Sequence, residues 1–272
     1  MKELLLGLGI SETEVKRLNH RALSYRSILT SSPEAMALVP SLLTAPEYDS
    51  KPLPIGSRPI EEWADAGCAE TDFIDSMEYL FSRGDDLAAA HSYYWSPDPQ
   101  WSRRIIIPFF HGGRIVGFTG RAVDSAASGR YMMEAPTDFL FNYGALLEHE
   151  RSVAILCEGV FDAIAVDGVG LMGARLNNQQ IAFIKNCGKQ IILLPDRDKQ
   201  GERMIDMALL NNWSVAFPAM RSGHGRDVWW ESDVKDAAEA CKRYGRLYTL
   251  QSIIATATDN KIKINMLRKN LY

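Results

Sequence analysis

Three carboxylates follow two short apolar runs of the sequence. Glu158 comes directly after the run 153–157, and Asp196 and Asp198 come shortly after the run 190–194. If the two runs are neighbouring parallel strands, their carboxyl ends meet at one edge of a sheet and the three carboxylates converge. Like charges about 4 Å apart repel by several kcal/mol at an intermediate dielectric, so such a cluster is tolerable with a divalent cation in it. Oxygen ligands without His or Cys select Mg²⁺ or Mn²⁺ over zinc.

The spacing within the second pair adds information. In an extended segment the side chains of Asp196 and Asp198 lie on the same face, so one ion could contact both. Gly159 and Gly201 let the backbone turn sharply next to the acids, which leaves room for a phosphate. Glu158 by itself would most often be an exposed loop residue. Glu-Gly at one strand end combined with Asp-x-Asp-x-x-Gly at another is a specific pattern.

The acids lie within a regular alternation of apolar runs and helical segments that begins at Arg151. Short buried strands separated by short helices predict βαβ units, and therefore an α/β fold with a parallel sheet flanked by helices. The predicted strands are 153–157, 169–172, 190–194 and 213–217, and the predicted helices are 161–166, closed by Gly168, then 177–188, capped by Asn177 and ended by Gly188, and 202–210.

A β-hairpin is predicted upstream of this alternation. The β-branched run 103–110 and the run 114–119 flank a His-Gly-Gly turn at 111–113. Five arginines and a single acid, Asp124, fall between residues 103 and 130, so this block is basic within an acidic chain. A solvated hairpin edge and an anion-binding surface explain this charge equally well.

The remaining segments carry no catalytic pattern. Residues 1–50 and 60–83 are predicted to be helical, and the proline-containing stretch 44–57 is predicted to be a linker. We interpret these segments as a helical subdomain packed on the core. The stretch 261–269 predicts a basic amphipathic helix, for which a solvated face is the commoner explanation and contact with DNA or a partner is the alternative.

The composition of the whole chain excludes several classes of protein. The 272 residues are 46% hydrophobic and 24% charged, which is ordinary for a globular protein of one or two domains. No window reaches the roughly 18 apolar residues of a membrane helix, and Glu3 spoils a signal peptide, so an intracellular protein is expected. The four cysteines are too widely separated for a zinc ribbon or a disulfide framework. A net charge of −4 argues against a strongly basic nucleic-acid coat and permits a local basic groove.

Two strings around the acids resemble the signature motifs of TOPRIM domains. They are Leu-Cys-Glu-Gly-Val-Phe-Asp at 156–162 and Leu-Pro-Asp-Arg-Asp-Lys-Gln-Gly at 194–201. DnaG-type primases, type IA and type II topoisomerases and OLD-family nucleases share this fold. The segment 171–174 also resembles the glycine-containing segment that follows the second strand in primases.

The basic block separates these branches of the fold. The strings 104–109, 113–121 and 130–131 resemble the Phe-Pro hairpin, the Gly-Phe-x-Gly-Arg turn and the Lys-Tyr pair of the subdomain that precedes TOPRIM in DnaG-type primases. Topoisomerases and OLD nucleases have no such block. The resemblance covers roughly residues 102–245 and is closest in style to phage-encoded primases.

This resemblance implies the catalytic core of a DNA primase. Its fold would be a Rossmann-like TOPRIM sheet flanked by helices, preceded by a mixed α+β basic subdomain and an N-terminal helical region. The expected division is a helical and basic RNA-polymerase-type part at 1–148, a TOPRIM catalytic part at 149–245 and a C-terminal helical extension at 246–272. The implied activity is synthesis of short RNA primers on single-stranded DNA from NTPs by two-metal nucleotidyl transfer, for DNA replication. A replicative helicase would be a partner, no membrane would be involved, and the location would be the cytoplasm of a bacterial or phage-infected bacterial cell.

The resemblance also assigns site residues. Mg²⁺ or Mn²⁺ would be held by the catalytic acids Glu158, Asp196 and Asp198 together with Asp236 from the Lys-Asp-Ala string at 235–237. Asp227 and Asp233 lie close by and are alternatives for that further ligand. The residues expected to bind nucleotide or DNA are Arg104, Arg114, Arg121, Arg130 and Tyr131.

The sequence departs from the family pattern in ways that affect these expectations. Arg130 stands where the family usually has Lys, and a further Lys has no counterpart in 139–142. We therefore expect nucleotide affinity to depend on other basic groups. An N-terminal zinc-binding domain and a helicase domain are also missing from the sequence.

Two other functions remain open at the level of sequence. One is a TOPRIM nuclease that cuts DNA with a metal on the Asp pair and Glu158 as general acid or base. The other is a non-catalytic module that binds single-stranded DNA or a helicase. The basic block favours the primase over the nuclease, and the intact acidic set argues against the module.

Overall fold

The structure is a computed structural model that describes residues 46–124, 129–148, 150–173, 175–219 and 230–270. Most of the helical segment predicted for 1–50 lies outside the described residues, and 46–50 have no regular structure. The described residues from 47 to 270 form one compact unit.

Strands and helices are numbered here in chain order within the described ranges. The strands are β1 (Arg58–Pro59), β2 (Tyr94–Trp95), β3 (Arg104–His111), β4 (Arg114–Ala122), β5 (Tyr131–Glu134), β6 (Val153–Cys157), β7 (Val169–Gly170), β8 (Gln190–Leu193) and β9 (Ser214–Val215). The helices are α1 (Ile60–Asp65), α2 (Thr71–Ser82), α3 (Asp85–Ala89), α4 (Gly144–Leu147), α5 (Val160–Val166), α6 (Asn178–Asn186), α7 (Lys199–Asn211), α8 (Ala237–Tyr244), α9 (Arg246–Thr256) and α10 (Lys261–Leu267), and a 3₁₀ turn follows at Arg268–Asn270.

An antiparallel sheet with the order β1-β2-β3-β4-β5 occupies the first part of the described chain. Strands β3 and β4 form the predicted hairpin, in a register that runs from Arg104 opposite Ala122 to His111 opposite Arg114, with a bulge at Phe109 and Phe110. Strand β3 is buried along nearly its whole length because both of its faces are covered. The hairpin is therefore an interior part of this sheet and not a solvated flap.

The helix predicted over 60–83 is two helices in the structure. Helix α1 ends at Asp65, and Gly67 follows with a φ of 67°. A glycine in this left-handed region commonly terminates a helix, because residues with a Cβ avoid it. Helix α2 starts afresh at Thr71 and packs Phe73 and Leu80 into the core.

A parallel sheet with the order β7-β6-β8-β9 forms the second part and confirms the predicted α/β architecture. Helices α5, α6 and α7 connect its strands. The outer strands are shorter than predicted, because β7 and β9 each pair over only two residues. Isolated bridges from Phe141 to Gly170 and from Val215 to Thr258 extend the two sides of the sheet.

The helix boundaries follow from capping residues. Asn177 and Gln180 form a reciprocal capping box at the start of α6, which confirms Asn177 as the cap. Helix α7 begins at Lys199, three residues before the predicted start at Glu202, because the Asp198 carboxylate caps it.

The C-terminal basic helix is present as α10 and its 3₁₀ turn. Arg268 donates from Nη1 to Asp206 of α7 at 2.6 Å, so this part of the basic stretch is tied to the parallel-sheet half. Lys261 and Lys263 are exposed. Within the ranges that the structure describes, no helix has the length and apolar character needed to cross a membrane.

Candidate metal and nucleotide site

The pairing of β6 with β8 brings the acid-bearing loops to one edge of the parallel sheet. Leu156 of β6 lies opposite Leu193 of β8, and the Leu194 N–H donates to the Leu156 carbonyl at 2.9 Å. Glu158 and Asp196 therefore leave adjacent strands at the same end, as the sequence predicted.

The carboxylates at this edge lie close enough to influence one another. Asp196 is half-buried, and its pKa is raised well above the usual range, first by burial and then by the negative charges of Asp162, Glu158, Asp236 and Asp198. A carboxyl surrounded by other carboxylates holds its proton because each neighbour disfavours a further negative charge. A bound divalent cation would remove that penalty.

Glu158 has an oxygen whose hydrogen-bonding capacity is unused. Its Oε2 is buried and has no hydrogen-bond partner among the described residues. Burial raises the pKa of this carboxyl, and the charge of Asp198 raises it further. An orphaned carboxylate oxygen inside an all-oxygen donor set fits a hard cation such as Mg²⁺ or Mn²⁺.

Two of the acids also hold helix N-termini. The Asp198 Oδ1 accepts from the Gln200 N–H at 2.7 Å and the Gly201 N–H at 3.0 Å, and the Asp236 Oδ1 accepts from the Glu239 N–H at 2.8 Å. Each carboxylate thus satisfies amides that a helix start leaves free. Asp198 is exposed in its role as a cap, and whether one ion contacts both Asp196 and Asp198 stays a prediction.

The carboxylates of the described residues share this edge without forming a closed metal cage. In the part of the chain that the structure describes, no group of three or more Asp, Glu, His or Cys side chains is arranged to hold a metal ion as it stands. The physical reason is that like charges repel, and that Asp198 and Asp236 are each drawn to a helix N-terminus. Glu158 and Asp196 thus share one edge of the sheet, and the convergence of all three carboxylates on one ion stays a prediction.

Asp162 belongs to the site and was missed as a site residue. It is buried in the first turn of α5, and its Oδ1 accepts from the Ala238 N–H at 3.0 Å. Burial raises its pKa, and the charge of Asp236 adds to that effect. The signal was present in the sequence, because Asp162 follows Glu158 by four residues and closes the first TOPRIM-like string.

Gly201 is required by the fold of the second acidic loop. A Cβ added at this position would lie 1.9 Å from the carbonyl oxygen of Asp196. The first turn of α7 therefore packs directly on the backbone of the loop that carries the acids, which any other residue would prevent.

The antiparallel sheet contributes an aromatic and basic surface. Arg121 on β4 lies opposite Tyr131 on β5, with its guanidinium carbon 4.6 Å from the centre of the Tyr131 ring. The Arg121 Nε donates to the Tyr79 hydroxyl at 2.9 Å. The structure thus brings together two of the five residues that the sequence suggested for nucleotide or DNA binding.

Arg83, at the end of α2, packs against α5 and was not among the predicted site residues. Its guanidinium carbon is 5.0 Å from the centre of the Phe161 ring of α5. Burial works against its charged form, but Tyr79 and then Asp236 and Asp162 outweigh that and raise the pKa of the guanidinium. An arginine at a helix end has no distinguishing sequence signal, because its neighbours there only predict packing.

Arg104 has a structural position. It is buried, and its Nη1 donates to the carbonyls of Gly120 at 3.1 Å and Gly129 at 2.9 Å. The Nη1 donors of this guanidinium are used by backbone carbonyls, and the burial of the residue favours a structural role over phosphate binding. We therefore do not include Arg104 in the proposed nucleotide-binding set.

The other candidate residues lie apart or outside the described chain. Arg114 is exposed at the tip of the hairpin, seven residues and about 23 Å of strand from Arg121. Arg130 is exposed directly before β5, so its role stays a prediction. Asp227 lies outside the described residues, and Asp233 is exposed and pairs with Arg243 at 2.7 Å, which favours Asp236 as the further acid.

The chain matches known proteins in the region of the acids. A family model described as Toprim-like matches residues 155–220. A DNA primase of Thermotoga maritima is 33% identical over 114 residues, an alignment that covers 37% of this chain and 20% of the relative. The match therefore spans about a fifth of that primase's length.

Solved structures extend the likeness across both sheets. The E. coli primase catalytic core has a TM-score of 0.54 at 15% identity and covers 78% of this chain and 81% of its own. A DnaG primase catalytic domain bound to single-stranded DNA has a TM-score of 0.53 at 14% identity, with 78% and 83% covered. The RNA polymerase domain of Mycobacterium tuberculosis DnaG has a TM-score of 0.51 at 15% identity, with 74% and 83% covered. Residues 155–220 are therefore similar to the Toprim-like family, and the chain has the fold of a DnaG-type primase catalytic core.

Proposed function

We propose that this chain synthesises short RNA primers on a single-stranded DNA template from NTPs. The observation that carries the proposal is the pairing of β6 with β8, which brings Glu158 and Asp196 to one edge of the parallel sheet. In the same compact unit, the antiparallel sheet places Arg121 against Tyr79 and Tyr131, which makes a basic, aromatic surface suited to nucleotide. The fold shared with DnaG-type catalytic cores supports this assignment.

Glu158, Asp196, Asp198 and Asp236 would hold Mg²⁺ or Mn²⁺. When bound, such ions would neutralise the triphosphate and stabilise the attacking and leaving oxygens. The buried, unpartnered Oε2 of Glu158 and the oxygen-only donor set support this assignment.

The chain's own side chains supply binding and orientation. Arg121 presents a planar fork that suits phosphate oxygens, and the Tyr79 hydroxyl and the Tyr131 ring hold that fork in place. Tyr131 is 42% exposed, and we propose that its ring stacks on a base. Asp162 accepts from the Ala238 amide and so fixes the start of the helix that Asp236 caps.

Single-stranded DNA is proposed as the template because a DnaG catalytic domain of the same fold has been solved bound to it. A replicative helicase as partner, NTPs as substrates and a bacterial cytoplasmic location are part of the same proposal. The division of the chain into a helical and basic part at 1–148, a TOPRIM catalytic part at 149–245 and a C-terminal helical extension at 246–272 also belongs to this proposal.

The test is primer synthesis on several single-stranded DNA templates with four NTPs and either Mg²⁺ or Mn²⁺, with and without a replicative helicase. The expected result is short RNA products with the wild-type protein and none with Asp198→Ala. The matched control is Asp259→Ala, which removes an exposed acid outside the site and should leave the products unchanged.

Two results would contradict the proposal. One is the absence of RNA from wild-type protein on every template, with the helicase supplied. The other is metal-dependent nicking of DNA without NTPs and without RNA synthesis, which would point to a nuclease.

A further inference from the structure

Arg197 stands between the two aspartates of the second acidic loop, and its side chain reaches a different loop. Its Nη1 donates to the carbonyl of Ser232 and to that of Val234, the latter at 3.3 Å. Its backbone N–H donates to the carbonyl of Lys235 at 3.4 Å. These contacts join the loop after β8 to the segment 231–236, which ends at Asp236.

The segment 231–236 also contacts the helix that follows it, α8. Arg243 of α8 pairs with Asp233 at 2.7 Å and with Glu231 at 2.5 Å, and the Tyr244 hydroxyl accepts from the Glu231 N–H at 3.0 Å. These bonds tie the segment to the helix that follows it. Arg197 ties it across to the loop that carries Asp196 and Asp198.

The Arg197 contacts are made to backbone carbonyls, so they fix the path of the segment whatever its side chains are. The hydrogen bonds from Nη1 to Ser232 and Val234 place the guanidinium of Arg197 on the side of the 231–236 segment.

We propose that Arg197 is a positioning residue that sets the separation of Asp236 from Asp196 and Asp198 before a metal ion binds. The proposal rests on the assignment of these acids as metal ligands in the proposed function. Holding ligands in advance spares the site the cost of ordering them when the ion arrives.

A positioning role and a purely electrostatic role predict opposite changes in Mn²⁺ affinity when Arg197 is removed. A cation beside a metal site repels the metal, so if Arg197 acted only by its charge, removing it would tighten Mn²⁺ binding. If Arg197 holds the two loops together, removing it loosens the ligand set and weakens Mn²⁺ binding despite the lost repulsion.

The experiment is calorimetric titration of the full chain with Mn²⁺ in the absence of nucleotide. For Arg197→Ala we expect Mn²⁺ affinity to fall by about tenfold, which corresponds to the loss of roughly one hydrogen bond to a charged group. Arg197→Gln removes the charge but keeps an N–H₂ donor, so it should bind Mn²⁺ more tightly than Arg197→Ala. Arg203→Ala is the control, because Arg203 is an exposed arginine on α7 and its loss should not change the affinity.

Hydrogen exchange provides a second measurement that does not depend on catalysis. Amides in 231–238 should exchange faster in Arg197→Ala than in wild type, while those of α6 report an unchanged fold. Wild-type protein that binds Mn²⁺ but makes no RNA would defeat the proposed reaction and leave the positioning role standing. The positioning role is overturned if Arg197→Ala binds Mn²⁺ as tightly as wild type or tighter, if exchange in 231–238 is unchanged, or if wild type does not bind Mn²⁺.

Discussion

The edge of the parallel sheet and the hairpin of the antiparallel sheet differ in how they use charged residues. At the parallel edge, Glu158 and Asp196 leave adjacent strands together and face the same acidic surroundings. In the hairpin region, basic residues that lie close together in the register of β3 and β4 have unrelated roles. Arg104 is buried against carbonyls, whereas Arg121 lies beside Tyr131.

Arg103 extends the contrast. It is tied by hydrogen bonds of 2.7 to 2.9 Å to Asp72, Asp75 and Asp124, which makes it part of the scaffold that joins the sheet to α2. Parallel strands direct all of their carboxyl ends to one edge, so position in the sequence predicts position in the site. Antiparallel strands run both ways and alternate faces, so nearby charges separate.

The largest expected difference between the two regions is in the loss of primer synthesis when one aspartate is changed to asparagine in each. Asp196→Asn should lower primer synthesis by about 10²–10³-fold, because a group that holds charge at the reacting atoms is lost. Its stability should be kept or raised, because the amide replaces a carboxyl whose ionisation is opposed by burial and by four other acids. Steady-state synthesis and thermal denaturation measure the two effects.

Asp72→Asn is the counterpart in the antiparallel half. It weakens a partly exposed ion pair with Arg103, so it should cost about 1 kcal/mol or less of stability and leave synthesis unchanged. The contrast between the regions breaks down if Asp196→Asn keeps its activity or if Asp72→Asn loses it.

Gly201→Ala tests whether the backbone at the parallel edge is as closely packed as the structure indicates. The new Cβ would meet the Asp196 carbonyl oxygen at 1.9 Å, so α7 must move. We expect a loss of about 1–3 kcal/mol in the free energy of unfolding and a large loss of synthesis. Gly144→Ala, where no atom lies within 4 Å of the added Cβ, should change neither quantity appreciably. Equal behaviour of the two variants would refute the close packing.

Two arginine variants sharpen the distinction inside the antiparallel sheet. Arg121→Ala should raise KM for NTPs about tenfold with little change in stability, because a charge-assisted contact to phosphate is lost. Arg104→Ala should instead cost about 2 kcal/mol of stability and leave KM unchanged, because two carbonyls lose their donor. Arg114→Ala, at the far end of the hairpin, is the control for the effect on KM of removing one positive charge. Similar KM values for the Arg121 and Arg114 variants would remove Arg121 from the nucleotide site.

The smallest expected effect is a dependence of metal-free stability on pH. The pKa values of Glu158, Asp162 and Asp196 are raised in the folded state, above all by burial, so the folded protein binds more protons than the unfolded chain. Their contribution to stability is fully present below their unfolded pKa values of about 4 and is lost as pH rises through the folded values. Asp124 has the opposite pH dependence, because the hydrogen bond from Arg103 lowers its pKa in the folded state. Its contribution to stability is lost only as the pH falls through that lowered pKa.

Denaturation of the metal-free protein should therefore show stability falling from pH 5 to pH 9, with a shallower slope in Asp196→Asn. Added Mg²⁺ should stabilise the protein more at the alkaline end, because metal binding requires deprotonated ligands. A slope that is flat, or that rises with pH in this range, would contradict the crowded acidic edge.

Much of the fold was predictable because its signals are local. The hairpin, the strands β6 and β8 and the cap of α6 each follow from a run of apolar residues bounded by turn or capping residues. The break at Gly67 was missed because the apolar spacing continues across it and only the backbone conformation interrupts the helix. The early start of α7 was missed because Asp198 was interpreted as a metal ligand and not also as a cap.

The sequence by itself determined the acidic edge. Glu158 and Asp196 each follow a strand, and two adjacent parallel strands place the residues that follow them at the same edge of the sheet. Tertiary structure alone decided which cations belong with them. Arg83 reaches from the end of α2 to the Phe161 ring of α5, Arg104 donates to backbone carbonyls, and Arg197 reaches from one acidic loop to another. A long side chain can reach several groups, and only packing selects the one it meets.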